Sequence, residues 1–351
     1  MLAATRRCRA DAVIDAGALP KLLAMLSQPR VAHPESPLLS AVQQVTWTVS
    51  NLCRGSPTPP LATLLPVFPV VAALVHSDTE PSVLTDACWA LSYLSDGTDD
   101  RIQAVIETNV TRRLVDLLSG DRPRALTPAL RTVGNIVTGS TPQTQVAINC
   151  GALQQLRKLL CRAPAHPAPV VKEACWALSN ITAGSKPQVD AAIASGCIPE
   201  LVRLLKHGDM VVRREAVWAI CNAASGKDAT QVQHLVQLGC IRPLCELLSN
   251  TDTRIVLVAL EGLRYILETG RLDIEEQNVY ATIVEEAFGL DALEALQNSE
   301  DDEVAARAIK VLTDFFEVDT AEENVAPAVD AAGMFSMQPQ PVGAAVSFAD
   351  L

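Results

Sequence analysis

Aromatic residues are scarce in this chain, 4% of 351 residues. With hydrophobic residues at 49%, mostly Ala, Val and Leu, such a composition suits thin layers of packed helices rather than one large core, which seldom grows past about 250–300 residues. No apolar run reaches the roughly 18–20 residues of a membrane span, so no membrane partner is expected. The first ten residues, MLAATRRCRA, carry basic side chains but no apolar stretch and cleavage site behind them, so they are not expected to act as a signal peptide. Ten cysteines are scattered without a CxxC, several of them within apolar helical patterns. They read as buried, reduced thiols. There is no GxGxxG, P-loop, HExxH or GxSxG, and the five histidines lie far apart. Nucleotide, metalloprotease and serine-hydrolase chemistry therefore find no residues to carry them, and no catalytic, cofactor or metal site is expected. Positive charge is also short. The net charge is −12, and residues 271–323 hold sixteen acids against Arg271, Arg307 and Lys310. A phosphate polyanion would be repelled, so nucleic acid is excluded and a basic protein partner is favoured.

What the chain does have is a recurring pair. VVKEACWALSNITAG carries Trp176 and Asn180, four residues apart and so on one helix face. REAVWAICNAASG places Trp218 and Asn222 at the same spacing, 42 residues further on. Upstream, QVTWTVSNLCRG holds Trp47 and Asn51, and TDACWALSYLSDG holds Trp89 and Tyr93, again 42 residues apart. Between these groups TPALRTVGNIVTG puts Arg131 in the Trp place and keeps Asn135. A pair at a fixed period of this size marks a solenoid, in which equivalent residues stack into a row.

Each module has three parts. A short first helix ends at a glycine, as in AVIDAG, QVAINCG, AAIASG and LVQLG. An amphipathic second helix follows (GALPKLLAML, GALQQLRKLL, GCIPELVRLL, GCIRPLCELL), and a loop leads to the long third helix that carries the row. The glycine fits a helix stop with positive φ, and a proline in the first turn fits the start of the next helix. PTPPLATLLPVFP uses proline at the corner, and TNVTRRLVDLL lacks the glycine. In IVLVALEGLRYILETG, Leu260 and Arg264 fill the Trp and Asn places, so the row ends there. A last module around EEAFGLDALEAL keeps the glycine turn and reads as a charged cap. The expected organisation is residues 1–11 as an extension or partial repeat, 12–318 as repeats, and 319–351 as a disordered tail, acidic and then rich in Ala and Pro.

An indole face packs the methylene stem of a lysine or arginine and attracts its cationic head. An asparagine one turn away offers both a carbonyl and an amide to the backbone of an extended peptide. Asp86 and Asp96 near Trp89, Glu173 before Trp176 and Glu215 before Trp218 would supply negative charge. A single Trp is more often a core residue, but asparagine is a poor helix-interior residue. Its recurrence one turn after the Trp place therefore favours a binding row.

On these motifs the chain, from about residue 9 to 318, resembles importin-α, the armadillo-repeat adaptor family for basic nuclear-localisation signals. The resemblance implies an all-α fold, a right-handed armadillo-repeat superhelix, that shuttles between cytoplasm and nucleus and takes Lys/Arg-rich signals as extended peptides. It implies that Trp176, Asn180, Trp218 and Asn222 form the minor signal site, with Asn135, Val137, Thr138, Thr144, Glu173 and Glu215 beside them. Trp47 and Asn51 would match the last pair of the major site, with Trp89, Tyr93 and Asp96 lining the groove between and Arg131 interrupting the row. The resemblance further implies a nuclear export receptor docking on Glu285, Glu286, Glu300, Asp301, Asp302 and Glu303, and a nucleoporin as a partner. The family's basic autoinhibitory segment and first repeats have no counterpart here. Importin-β binding and a full major site are therefore not expected, the groove is expected to be open, and single-cluster signals are expected to be preferred. The competing expectation is an armadillo scaffold without import activity.

Overall fold

The computed structural model describes residues 10, 12–28, 31–55, 58–76, 79–163, 165–226, 228–271 and 278–316, together with the backbone of 327–329 and 335–337. Its helices fall into three stacked series. The long third helices are Leu39–Cys53, Pro81–Leu94, Pro123–Ile136, Ala168–Thr182, Met210–Ser225, Thr253–Gly270 and Asp302–Phe315, and each packs on the next. The second helices, Ala18–Leu26, Val67–His76, Thr111–Leu117, Ala152–Cys161, Cys197–His207, Ile241–Leu248 and Gly289–Leu296, form a parallel series in the same order. Short first helices such as Thr141–Asn149, Lys186–Ala194 and Ala229–Gln237 bridge the two. Buried Leu, Ile, Val and Ala run without interruption between the layers, from Leu19 to Phe316. Each fully buried Leu contributes about 1.5–3 kcal/mol, so the core is long and thin and every module depends on its neighbours.

The corners follow backbone rules. Gly17, Gly151, Gly196 and Gly239 all sit at positive φ, between 72° and 89°, where a side chain is disfavoured. Asn109, at φ 59°, takes that place in the module that lacks the glycine, which suits the non-glycine residue most tolerant of this region. The last module departs from expectation. Its left-handed residue is Phe288, at φ 58°, and not the glycine beside it. Gly289 opens the second helix instead, where a Cβ would stand 2.5 Å from Val284 Cγ1 and 2.7 Å from Cys245 Sγ. Close packing on the preceding module has claimed the glycine, and the aromatic residue takes the strained corner.

Neighbouring modules are also stitched by buried side-chain-to-backbone bonds. Gln143 Nε2 donates to the Asp99 carbonyl at 2.9 Å, Gln188 Nε2 to the Thr141 carbonyl at 2.9 Å, and Gln231 Nε2 to the Lys186 carbonyl at 3.2 Å. Arg101 occupies the same place one module earlier and donates to the Pro59 carbonyl. Gln143 and Gln188 also complete capping boxes with Ser140 and Ser185, so one side chain fixes the helix start and the module spacing together. Of the described cysteines, Cys53, Cys88, Cys175, Cys197, Cys221, Cys240 and Cys245 are buried and free, Cys150 is half-buried and Cys161 is exposed. Burial pushes the Cys53, Cys88, Cys240 and Cys245 thiols up to about 12, a state that disfavours thiolate chemistry. In the tail, Pro327–Val329 pairs antiparallel with Phe335–Met337, with Val329 opposite Phe335. The remainder of residues 319–351, expected to be disordered, lies outside the described residues.

Candidate peptide-binding groove

The row residues share one face of the third-helix layer. Trp47 and Trp218 are the most open, 56% and 48% exposed, while Trp89 and Trp176 are half-buried. Trp89 stacks on Tyr93 with centroids 5.9 Å apart, and Arg54 lies 5.8 Å over the Tyr93 ring. Asp86 is half-buried on the same helix as Trp89, and burial, then the charge of Glu80, raises its carboxyl above the usual range. Asp96 lies exposed just beyond that helix.

Around Trp176 the chain supplies its own cation. Arg131 lies 5.5 Å over the indole and its Nη2 donates to Glu173 Oε1 at 2.7 Å. Glu173 is buried, and its second oxygen, Oε2, has no hydrogen-bond partner. Glu215 stands close by on the next third helix. Burial above all, then the like charge of Glu173, raises its carboxyl, against Lys172 and Arg214 nearby. Val137 is buried and Thr138 exposed at the end of the Pro123–Ile136 helix. Buried Thr144 donates to the Val137 carbonyl at 3.3 Å, which fixes the corner beside Asn135.

The four asparagines are held in two ways. Asn51 and Asn180 donate through Nδ2 to the carbonyls of Trp47, at 2.8 Å, and Trp176, at 3.1 Å, in their own helices. Asn135 reaches back one module to the Ser92 carbonyl, at 2.9 Å, and Ser95 Oγ, at 3.0 Å. Asn222 likewise reaches the Ser179 carbonyl at 2.9 Å. The amides of Asn51, Asn180 and Asn222 are thereby oriented with one N–H spent, Asn135 donates to two acceptors, and none of the four Oδ1 atoms has a hydrogen-bond partner among the described residues. That leaves an acceptor on each, and a second N–H on Asn51, Asn180 and Asn222, for an extended backbone.

Sequence reasoning missed Gly134. A Cβ there would stand 2.3 Å from Trp176 Cζ3, so only glycine lets the indole lie against the preceding helix. The signal is a column of small residues directly before the row asparagine or tyrosine, namely Ser50, Ser92, Gly134, Ser179 and Cys221. Ser50, Ser92 and Ser179 each donate to the carbonyl of their Trp at 2.8 Å. Arg54 was also missed, because it lies beyond the helix that carries Trp47.

The row does end where expected. Leu260 is buried in the Trp place, and Arg264 in the Asn place is gripped by Glu261 and Glu268. Glu285, Glu286, Glu300, Asp301, Asp302 and Glu303 are all exposed on the last module. Asp301 caps the last helix, and Glu303 pairs with Arg307 at 2.6 Å. Among the described residues no His, Cys, Asp and Glu cluster could hold a metal ion, and no helix is long and apolar enough to cross a membrane.

Stacked three-helix modules of this kind define an armadillo-repeat solenoid. The armadillo/β-catenin-like repeat model matches residues 98–138, 140–183, 185–225 and 228–268, and the atypical armadillo repeat model matches residues 278–328. The chain belongs to the importin-α family. It is 45% identical to importin subunit alpha-1b of Oryza sativa subsp. japonica over 88% of this chain and 57% of that one. Against importin subunit alpha-8 of Arabidopsis thaliana identity is 41% over 88% of this chain and 68% of that one. The chain thus spans little more than half the length of most of these relatives. Among solved structures, a designed armadillo repeat protein, YIII(Dq.V1)4CPAF in complex with peptide (KR)4, is 32% identical with a TM-score of 0.63, over 70% of this chain and 98% of that one.

Proposed function

We propose that the chain is a nuclear import adaptor that binds Lys/Arg-rich nuclear-localisation signals as extended peptides, mainly between Trp176 and Trp218. The observation that carries this reading is Arg131. Its guanidinium already rests on an indole and a buried carboxylate in the groove, the set of contacts a signal's arginine would seek. The neighbouring pocket at Trp218 keeps the same chemistry, an open indole with Glu215 and Asn222, with no arginine on the ring among the described residues. The designed armadillo protein solved with (KR)4 supports the same mode, since its fold and this one overlap. Cation–π contacts of about 0.5–2 kcal/mol each, added to oriented amides, make a short peptide sufficient. Cargo in the cytoplasm and release in the nucleus are the localisation this reading carries.

The exposed acids Glu285, Glu286, Glu300, Asp301, Asp302 and Glu303 form the proposed docking surface for the nuclear export receptor, and a nucleoporin is a further proposed partner. Titration of a Lys/Arg-rich peptide against a matched Glu/Asp-containing peptide tests the central reading. Binding of the basic peptide alone is expected, and binding of neither would favour an armadillo scaffold without import activity. Reversing the six acids should abolish capture by the export receptor while leaving the basic peptide bound; an unchanged receptor complex would leave those acids a solvated cap.

A further inference from the structure

The groove does not stop where the Trp/Asn row stops; beyond it stands a lysine, Lys310, with no ion pair among the described residues. The Thr253–Gly270 and Asp302–Phe315 helices continue the third-helix layer past Trp218 and Asn222. Between them lies an open cavity of about 300 Å³ lined by Leu260, Glu261, Arg264, Arg307, Lys310 and Val311. Leu260 and Arg264 are the next members of the 42-residue register, so this cavity belongs to the binding face and not to the outer surface. Upstream the groove carries Asp86, Glu173 and Glu215; here Arg264 and Arg307 are paired by Glu261, Glu268 and Glu303, and Lys310 adds a further cation.

The distribution is sharper than composition alone would give. Residues 271–323 contain three bases among sixteen acids, and two of those three, Arg307 and Lys310, line this cavity. Arg264 is fixed by Glu261 and Glu268 and stacks 4.6 Å over Tyr265. Arg307 reaches Glu303 at 2.6 Å and Glu261 at 3.6 Å. Lys310 is exposed and forms no ion pair among the described residues.

We infer that this cavity takes an acidic side chain of the bound signal peptide, an aspartate or glutamate that flanks the basic cluster on one side only. The inference rests on the peptide-binding reading above. Packed helices lie about 8–10 Å apart and an extended chain advances about 3.3 Å per residue. The carboxylate should therefore fall about three to six residues beyond the basic side chain held at Trp218. Lys310, which has no ion pair among the described residues, is the cation it would meet, with Arg264 and Arg307 held in the wall beside it by Glu261, Glu268 and Glu303. The groove thus reads polarity along the peptide, basic at the Trp row and acidic beyond it.

The test uses the full chain and three peptides sharing one Lys/Arg cluster: one with Ser/Gly flanks, one with two glutamates four and five residues before the cluster, and one with them after it. One acidic flank should tighten binding about three- to five-fold, the size of an exposed charge pair, and the other should not. The gain should vanish in Lys310→Ala and become a penalty in Lys310→Glu, while the Ser/Gly peptide binds all three proteins alike. Equal affinities of all three peptides for the unaltered chain, or a gain that survives Lys310→Glu, would overturn the inference and leave the peptide-binding reading standing. Failure of the Ser/Gly peptide to bind would overturn both. A gain seen only after removal of residues 319–351 would assign the cavity to the chain's own acidic segment and overturn its assignment to the peptide.

Discussion

At the scale of single residues, the four row asparagines look alike in sequence and differ in what they hold. Asn180 bonds within its own helix, so on the proposed reading Asn180→Ala removes a peptide contact and little else. Asn222 ties its helix to the carbonyl of Ser179 in the preceding module, so Asn222→Ala removes a brace as well. A lost buried bond costs about 1–3 kcal/mol. Both variants should weaken a minor-site peptide, and only Asn222→Ala should also lower the unfolding midpoint. Calorimetric titration beside thermal melts checks this, and equal melts for the two variants would contradict it. Glu215 gives a pH signature. Its carboxyl is raised in the free protein, chiefly by burial, and a cationic side chain binds its ionised form. Affinity is therefore full above that raised pKa and falls as protons compete below it. As pH falls through that raised pKa the peptide should weaken, and Glu215→Gln should bind less tightly at neutral pH with a flatter profile.

At the scale of elements, glycine and its substitutes decide the geometry. Gly134→Ala forces a methyl into the Trp176 ring; such overpacking costs about 1–3 kcal/mol, and because the indole must shift, peptide affinity should fall with stability. Phe288→Gly should act in the opposite sense. The phenylalanine is 72% exposed and sits at positive φ, so little burial is lost while roughly 1 kcal/mol of backbone strain is relieved. A higher unfolding midpoint is expected, and a lower one would show that the ring has a partner. These elements also show how far the sequence could be read. The 42-residue period and the apolar second helices announced the modules, because stacking demands the same face every time. Gly151 and Gly196 announced the corners, because only backbone rules act there. Phe288 could not be foreseen, since the competing demand on Gly289 comes from Cys245 in another module. The ladder of Gln143, Gln188 and Gln231 was hidden for a similar reason. Glutamine at a helix start reads as a cap, and its reach to the preceding module is a tertiary fact, more so where Arg101 stands in for it. The candidate site was proposed from its residue types, while the contact of Arg131 with Trp176 and the two modes of asparagine anchoring needed the packing of neighbouring helices.

At the scale of the whole molecule, a thin core and a long groove are one design. Each module adds one third helix to the layer, so on the proposed reading the pattern along the layer sets what an extended peptide must carry. The pockets are unequal. Trp47 and Trp218 are open, Trp176 is partly taken by Arg131, and beyond Arg264 the wall carries Lys310, which has no ion pair among the described residues. The account therefore places most of the binding free energy at Trp218, with Trp176 as its half-occupied neighbour. The most direct measurement is titration of a single-cluster Lys/Arg peptide into the unaltered chain, Trp218→Ala and Trp47→Ala at moderate salt. Loss of a desolvated cation–π contact of about 2 kcal/mol corresponds to roughly thirty-fold. A loss of about that size is expected for Trp218→Ala with Trp47→Ala close to the unaltered chain, whereas equal affinities for the unaltered chain and Trp218→Ala would contradict the account.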